Sequence, residues 1–311
     1  MVIDLLARRV NRRRVLEGWA GAMLLGGFTA PFRGYRVSAA ANDVQPANLG
    51  VLTIAAGGLD SRRPGEPENS DVLKICRVDV PNRTLRVISL PRDLYVDIPG
   101  FQADKITRAY DFGSKATGTF KGGANAIKDT IESNFDIEID AVVLTTFGGF
   151  EDIVDAFGGV DVDNPYDVSD GEYPTTDYGY KSIYFPTGQI HLNGEEALEF
   201  SRTRHQDGDD GRVMRQELVI RGLLDRSKDS DNKAKISDLI TAHRKSIRTD
   251  LGKSKQLALA LAAPDFTNDN VSFTTLVNFI YGDYAGDMWI YAGDWGQIPG
   301  YVQGFLDGSI S

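Results

Sequence analysis

The sequence predicts an α/β protein, a single three-layer α-β-α domain around a central mixed β-sheet. Apolar runs rich in Val, Ile and Leu alternate with stretches of helical period, as strands covered by helices on both faces do. Hydrophobic residues fill 41% of 311 positions and aromatics 10%, ample for one large core. No repeat, low-complexity tract or linker divides residues 42–311, so one domain is expected there, with a motif-bearing core at about 50–227 and a C-terminal extension at 228–311.

Residues 1–41 stand apart. They carry seven arginines against Asp4 and Glu17, a charge of +5, which leaves −15 of the net −10 on residues 42–311. Asn11-Arg12-Arg13-Arg14-Val15-Leu16 has the twin-arginine arrangement. A glycine-broken apolar run from Trp19 to Phe32 and the small residues Ser38-Ala39-Ala40-Ala41 follow in the order of an export signal. The run is shorter than the roughly 20 apolar residues of a membrane span. A twin-arginine-type signal peptide or N-terminal anchor is therefore expected, with the domain on the outer face of the cytoplasmic membrane or at the cell surface.

Along the body, Val51–Ala56 reads as a strand ending at Gly57-Gly58, followed by a polar loop from Asp60 to Ser70. Val72–Val80 and Thr84–Leu90 form a hairpin turning at Pro81-Asn82, and Leu94–Ile98 is a short strand. Helices are expected at Lys105–Phe112, Ala124–Phe135, Phe147–Phe157, Gly194–Phe200, Arg212–Arg226, Ile236–Ile247 and Ser254–Ala262, with a small one around Pro299–Leu306. Ala141–Thr146, Val160–Val162 and Val271–Val277 are further strands. Residues 164–190, rich in Tyr, Asp, Pro and Gly, read as a long loop with room for a hairpin.

The charge excludes some functions. A domain at −15 is repelled by nucleic-acid backbone, so no nucleic-acid partner is expected. Its 33 Asp against 11 Glu and 12 Lys against 22 Arg are the composition of a halophilic, salt-adapted protein. The single Cys76, inside an apolar run, reads as a small core residue and permits no internal disulfide.

Against this acidic background Leu198 to Gln216, LEFSRTRHQDGDDGRVMRQ, concentrates four arginines. Arg202 and Arg204 are two apart and point the same way in an extended segment; Arg212, Arg215 and Gln216 share one helical face. Gly211 favours a turn into that helix, whose N-terminus adds positive potential. Planar, always-charged forks crowded together suit the oxygens of a polyphosphate, whereas the ordinary reading is a solvated face balanced by Asp207, Asp209 and Asp210. Asp60 and Asp71 flank the first loop and can hold Mg2+, or be only solvated loop residues. Arg92 follows a strand at Leu90-Pro91, and Lys105 and Arg108 add cations on the next helix.

Together these pieces resemble the LytR-CpsA-Psr family of cell-envelope phosphotransferases. The resemblance runs from Gly57 through Ser227: GLDSR (Gly58–Arg62), NSD (Asn69–Asp71), SLPRDLYVDIPG (Ser89–Gly100), DKITRAY (Asp104–Tyr110), FGGFEDIVDAFGGVDV (Phe147–Val162), HLNGEEALEFSRTRH (His191–His205) and GDDGRVMRQ (Gly208–Gln216). Val72, Thr107 and Asp210 depart from the family's usual threonine, asparagine and aromatic. The resemblance implies transfer of a phospho-glycan from a polyprenyl-pyrophosphate carrier to a cell-wall sugar hydroxyl, beside the membrane; the salt-adapted composition adds a dolichyl-pyrophosphate carrier and another surface glycan or glycoprotein acceptor as the alternative. It implies Arg92, Arg202, Arg204, Arg212 and Gln216 as pyrophosphate contacts and Asp60 and Asp71 as a Mg2+ site. Arg108 and Arg215 join the pyrophosphate set as further cations, Arg215 alternatively acting from behind it. Asp209 is a candidate general base, and His205 reads as structural. Ile127, Ile131, Leu218 and Leu223 are candidates to line an isoprenoid channel, against the plainer reading of core. A hydrolase using water at the same site and a non-catalytic lipid-binding regulator are the alternatives.

Overall fold

Strand β1 (Val51–Asp60) runs through the middle of the sheet and past the glycine pair expected to end it. It continues because both its edges are paired: Gly57 opposes Leu73 antiparallel and Leu144 parallel, and Gly58 opposes Val72 and Thr145. Backbone ladders on both sides outweigh glycine's weak strand preference. A Cβ on Gly57 would sit 2.5 Å from the Val72 carbonyl oxygen, so glycine is required there. This computed structural model describes residues 46–60, 68–175, 179–229, 231–232 and 247–310. The expected export segment lies outside the described residues, as does nearly all of the expected helix Ile236–Ile247.

The chain continues through β2 (Asn69–Asp79), β3 (Thr84–Leu90), the short β4 (Tyr95–Val96) and β5 (Asp104–Lys105), α1 (Ala109–Thr117), α2 (Phe120–Phe135), β6 (Ala141–Thr146) and α3 (Phe147–Ala156). Next come β7 (Val160–Asn164), β8 (Val168–Pro174), β9 (Tyr180–Phe185), β10 (Gly188–Leu192), α4 (Gly194–Arg202) and α5 (Gly208–Ser227). The last part holds β11 (Ile247–Thr249), α6 (Lys253–Ala262), β12 (Val271–Thr275), β13 (Ile280–Ala285), β14 (Met288–Gly293) and α7 (Ile298–Asp307).

The central sheet has six strands in the order β11-β6-β1-β2-β3-β12. It is mixed: β1 pairs β6 and β3 pairs β12 in parallel, while the other neighbours are antiparallel. Strands β1, β3, β6 and β12 therefore end at one edge of the sheet. On one face Leu59, Leu73, Ile75, Ile88 and Leu144 pack against Tyr110, Ile127, Ile131, Phe135 and Phe305 from α1, α2 and α7. On the other, Leu52, Ile54 and Val78 meet Leu224, Leu259 and Ala262 from α5 and α6. A third cluster, around Val154, Val160, Phe200 and Val219, ties α3, α4 and α5 to the small sheets β7–β10 and β8–β9. Period-2 alternation along β1 (Leu52 and Ile54 to one face, Ala55 and Leu59 to the other) makes the three-layer α-β-α architecture possible.

Several boundaries differ from the sequence reading. Val160–Asn164 is extended as expected but pairs with β10 outside the central sheet. Residues 164–190 hold a real hairpin, Val168↔Phe185 through Pro174↔Tyr180. The stretch 228–311 is no appendage, since β11 and β12 close both edges of the central sheet and α7 fills its core. The hairpin β13–β14, among glycines and exposed tyrosines, had no clear strand signal.

Candidate active site

The shared strand edge carries three contiguous cavities, which meet at Val72 and Gln216 beneath the start of α5. The first, of about 150 Å3, is lined by Asp71, Arg92, Phe147, Tyr173, Arg202, Arg204, His205, Arg212 and Gln216. This is the location that open α/β sheets reserve for ligands.

Each cation arrives differently. Arg92 leaves β3 behind Pro91, with Nη1 3.3 Å from Asp71 Oδ1 and Nε 3.4 Å from Asp93 Oδ2. Arg202 is the last residue of α4, not part of an extended segment, and Thr203 exits at ψ 144°. Its guanidinium lies 3.9 Å from the centre of the Phe147 ring and donates to the Tyr173 hydroxyl at 2.9 Å. Arg204 is exposed and makes no ion pair with any described residue. Arg212 is 8% exposed, meets Asp209 at 3.4 Å, and keeps a buried Nε with no partner. Burial, with Arg92 and Arg204 adding repulsion, holds its guanidinium below the ordinary arginine range against the pull of Asp209 and Asp71. Gln216 donates from Nε2 to the Ser201 carbonyl at 3.2 Å, leaving its amide oxygen for the cavity.

The helix start differs from the expectation. The chain turns at Gly208, with φ 70°, and α5 begins there. Gly211 is inside the helix, where a Cβ would collide with the Asp207 carboxylate. Asp209 and Asp210 consequently occupy the first helical turn, where the exposed N–H groups favour carboxylates.

Two expected contacts fall elsewhere. Arg215 is 0% exposed and fully engaged: its Nε donates to the Phe200 carbonyl at 2.8 Å, and its terminal nitrogens to the Thr203 carbonyl and both oxygens of Asp207. It lines none of the three cavities and instead binds the α4–α5 connection, because Asp207 and the Phe200 and Thr203 carbonyls take its donors. Arg108 stays on its own segment, 3.9 Å from Asp111 and stacked 5.1 Å from the Phe112 ring centre. His205 lines the rim of the first cavity and is hydrogen-bonded through Nδ1 to Asp170 at 2.8 Å. Burial opposes ionisation of Asp170, but hydrogen bonds from Thr203 and His205 hold its carboxyl below the usual range, a structural role.

Asp60 closes β1, and the register skips from Gly58↔Val72 to Leu59↔Ser70, so Asp71 is the extra residue of a β-bulge. Leu59 faces the core, which turns Asp60 toward the other face, and the bulge presents Asp71 to the cavities. Asp71 lines the first and third cavities, whereas Asp60, at the end of β1, lines none of the three; Mg2+ is commonly held by one or two carboxylates plus water and substrate phosphate. Among the described residues no group of three or more His, Cys, Asp or Glu gathers, so water and phosphate would complete such a shell.

The second cavity, about 200 Å3, is apolar and opens from the first past Arg202, Phe147 and Gln216. Phe150, Leu198, Val219 and Ile220 wall it. Ala56 and Gly58 floor it, the one with only a methyl and the other with no side chain, which leaves space above the sheet. The residues expected to line an apolar channel are core instead: Ile127 and Ile131 lie under the opposite face of the sheet, and Leu218 and Leu223 pack on the cluster around Phe200. Both sets have helical period, which cannot tell a filled core from a hollow one. The third cavity, about 230 Å3, lies on the β3 side of Arg212 and Gln216.

Comparison with known proteins now decides the family. The profile of the LytR_cpsA_psr family matches residues 34–298. The chain belongs to this family. The chain is 35% identical over 217 residues to the polyisoprenyl-teichoic acid–peptidoglycan teichoic acid transferase TagV of Bacillus subtilis, covering 68% of this chain and 52% of TagV. It is 31% identical to the corresponding transferase TagU of Oceanobacillus iheyensis over 78% of this chain and 71% of TagU. Thus the chain spans only about half the length of TagV. The crystal structure of B. subtilis TagV superposes with a TM-score of 0.67 at 29% identity, over 83% of this chain and 98% of that one. TagT bound to LI-WTA gives 0.64 at 25% identity, over 84% and 92%. The match extends beyond residue 227, where the sequence resemblance stopped, and takes in β12 and the β13–β14 hairpin.

Proposed function

We propose that this member of the family is a transferase that moves a phospho-glycan from a polyprenyl- or dolichyl-pyrophosphate carrier to a hydroxyl of a cell-surface glycan. The observation that carries this reading is the convergence of Arg92, Arg202, Arg204 and Arg212 on a cavity continuous with an apolar one. Charge repulsion among four guanidiniums is relieved by a pyrophosphate, and an isoprenoid tail fits the space beyond Phe147. The names of the relatives, which act on polyisoprenyl-linked teichoic acid and peptidoglycan, support the same class of donor and acceptor.

In this reading the acceptor oxygen forms a bond to the glycan-side phosphorus while the bond from that phosphorus to the bridging oxygen breaks. The polyprenyl monophosphate leaves with the electron pair, and the hydroxyl proton passes to Asp209. Arg202 and Arg204 bind the pyrophosphate oxygens, Arg92 and Arg212 neutralise charge growing on the bridge, and Gln216 orients the group. Asp60 and Asp71 would hold Mg2+, which when bound supplies further neutralisation of phosphate oxygens. Arg202 and Arg204 are expected to matter to turnover, and Asp60→Asn to raise or abolish a divalent-ion requirement. Activity undiminished in a chelator would remove the metal from the scheme.

Such a reaction belongs outside the cytoplasmic membrane, where Arg12 and Arg13 would direct the domain. No helix among the described residues is long and apolar enough to cross a membrane. Replacing Arg12 and Arg13 together by lysine keeps both charges but loses the guanidinium forks, and should trap full-length protein in the cytoplasm. The deciding assay follows radiolabelled phospho-glycan from a lipid-linked donor. Label on a macromolecular acceptor supports transfer, and label released only as free phospho-glycan would favour hydrolysis.

A further inference from the structure

The third cavity differs chemically from its neighbours. Its floor is Lys74 on β2 and Ser89 on β3, its roof is Asp209, Asp210 and Arg212 at the start of α5, and its outer wall is Tyr281 and Tyr291 of the β13–β14 hairpin. The hairpin is fixed in place at the site, since the Tyr291 N–H donates to the Asp93 carbonyl at 2.9 Å beside Arg92. Burial raises the Tyr291 hydroxyl, and Asp209, Asp210 and Asp93 raise it further, so ring and carboxylates face a common space. Lys74 is 5% exposed. Its ammonium donates to Ser89 Oγ at 2.6 Å and forms no ion pair with a described carboxylate, which leaves N–H groups for a ligand. Trp289 packs edge-on to Tyr291 at 4.7 Å, and Trp289, Tyr281 and Tyr284 are all exposed, extending an aromatic shelf outward.

Three carboxylates (Asp71, Asp209 and Asp210) against the Lys74 ammonium and the Arg212 guanidinium, with an amide and flanking aromatic rings, are poorly suited to a second phosphate, because the acidic groups outnumber the cations. They suit a sugar ring, which offers hydroxyls to the polar groups and an apolar C–H face to the tyrosines. Position agrees. The third cavity borders the first at Asp71, Arg212 and Gln216 and carries Asp209, the base of the proposed reaction, in its roof, so a hydroxyl held there lies beside the pyrophosphate site.

We propose that the third cavity takes a sugar ring of the acceptor glycan, held by Asp209, Asp210 and Lys74 and walled by Tyr281 and Tyr291, with the aromatic shelf receiving the next ring. This rests on the transferase reading and specifies where its acceptor enters.

The test uses the full chain and two probes in separate titrations: a β-1,4-linked N-acetylglucosamine tetramer followed by saturation-transfer NMR, and geranyl pyrophosphate followed by calorimetry. Tyr281→Ala, at a 60% exposed position that leaves folding intact, and Lys74→Met should each weaken the tetramer about fivefold or more. Tyr281→Ala should leave geranyl pyrophosphate within about twofold of wild type, and Arg202→Ala should do the reverse; Lys74 also borders the apolar cavity, so Tyr281→Ala alone serves for this comparison. Equal tetramer binding by wild type and Tyr281→Ala, or none by wild type, overturns the proposal. A third titration, with a lipid-pyrophosphoryl disaccharide, separates acceptor from donor sugar. Weakened disaccharide binding in Tyr281→Ala with unchanged tetramer binding would assign the cavity to the donor and overturn the acceptor role. If wild type fails to bind geranyl pyrophosphate, the transferase reading itself falls and takes the acceptor assignment with it, even where the tetramer binds.

Discussion

Arg212 and Arg215 lie three residues apart on α5 and live under opposite conditions. Arg215 is completely buried and uses its donors on Asp207 and two backbone carbonyls. Arg212 is nearly as buried, yet has a distant carboxylate, repelling arginines around it and an unpartnered Nε. A satisfied buried cation holds structure. An unsatisfied one, costly to keep there without a ligand, marks where an anion belongs.

The comparison breaks most sharply if Arg215 is removed. Arg215→Ala leaves the largely buried Asp207 carboxylate without its ion pair and with only the Tyr166 hydroxyl as a side-chain partner, a loss of about 3–5 kcal/mol in unfolding free energy. Urea unfolding should show it, and a change below about 1 kcal/mol would deny the clamp its role. Arg212→Ala should do the converse, leaving stability almost intact while turnover of a lipid-pyrophosphate donor falls by about ten- to a hundredfold, the loss of one charge-assisted contact of about 1.5–3 kcal/mol. Turnover within about twofold of wild type would remove Arg212 from the phosphate site.

Lys74 sharpens the contrast from a third direction. Burial brings its ammonium down from 10.5 to about 8. Between those values the unfolded chain holds more protons than the folded one, so wild-type stability rises with pH across that window. Below pH 8 the buried charge costs up to about 3 kcal/mol. Lys74→Met, after loss of the Ser89 hydrogen bond, should therefore stabilise the protein by about 1–3 kcal/mol at pH 7, and the gain should fade as pH rises from about 8 to 10.5. A gain independent of pH would locate its cause in packing rather than charge.

The smallest expected effect lies in the apolar cavity. A Cβ on Gly58 meets only ordinary contacts, Val72 Cβ at 3.7 Å and Cγ2 at 3.9 Å. Gly58→Leu should fill the space and raise KM about tenfold for long-chain donors, while leaving a geranyl-length donor nearly unchanged. An effect independent of chain length would place the lipid elsewhere.

How much could be read in advance depends on the range of the forces concerned. Composition and hydrophobic period are local, and they determined the α/β class, the strands Thr84–Leu90 and Ala141–Thr146, and helices such as Phe147–Ala156 to within a residue or two. Motif order determined the family, and the charge of the body set the arginine cluster apart from its surroundings. Tertiary structure decided what each residue does there. Arg212 and Arg215 have equal propensity and charge, and only the position of Asp207 assigns one to the fold and leaves the other to the cavity. Ile127 and Val219 share helical period, and only the small floor at Ala56 and Gly58 leaves a void beside the second and none beside the first. Strand β1 crosses two glycines because partners on both sides hold it, and the β13–β14 hairpin reaches the site through the Asp93–Tyr291 hydrogen bond. Such contacts join residues up to about two hundred positions apart, as Asp93 and Tyr291 are, and local sequence pattern carries no term for them.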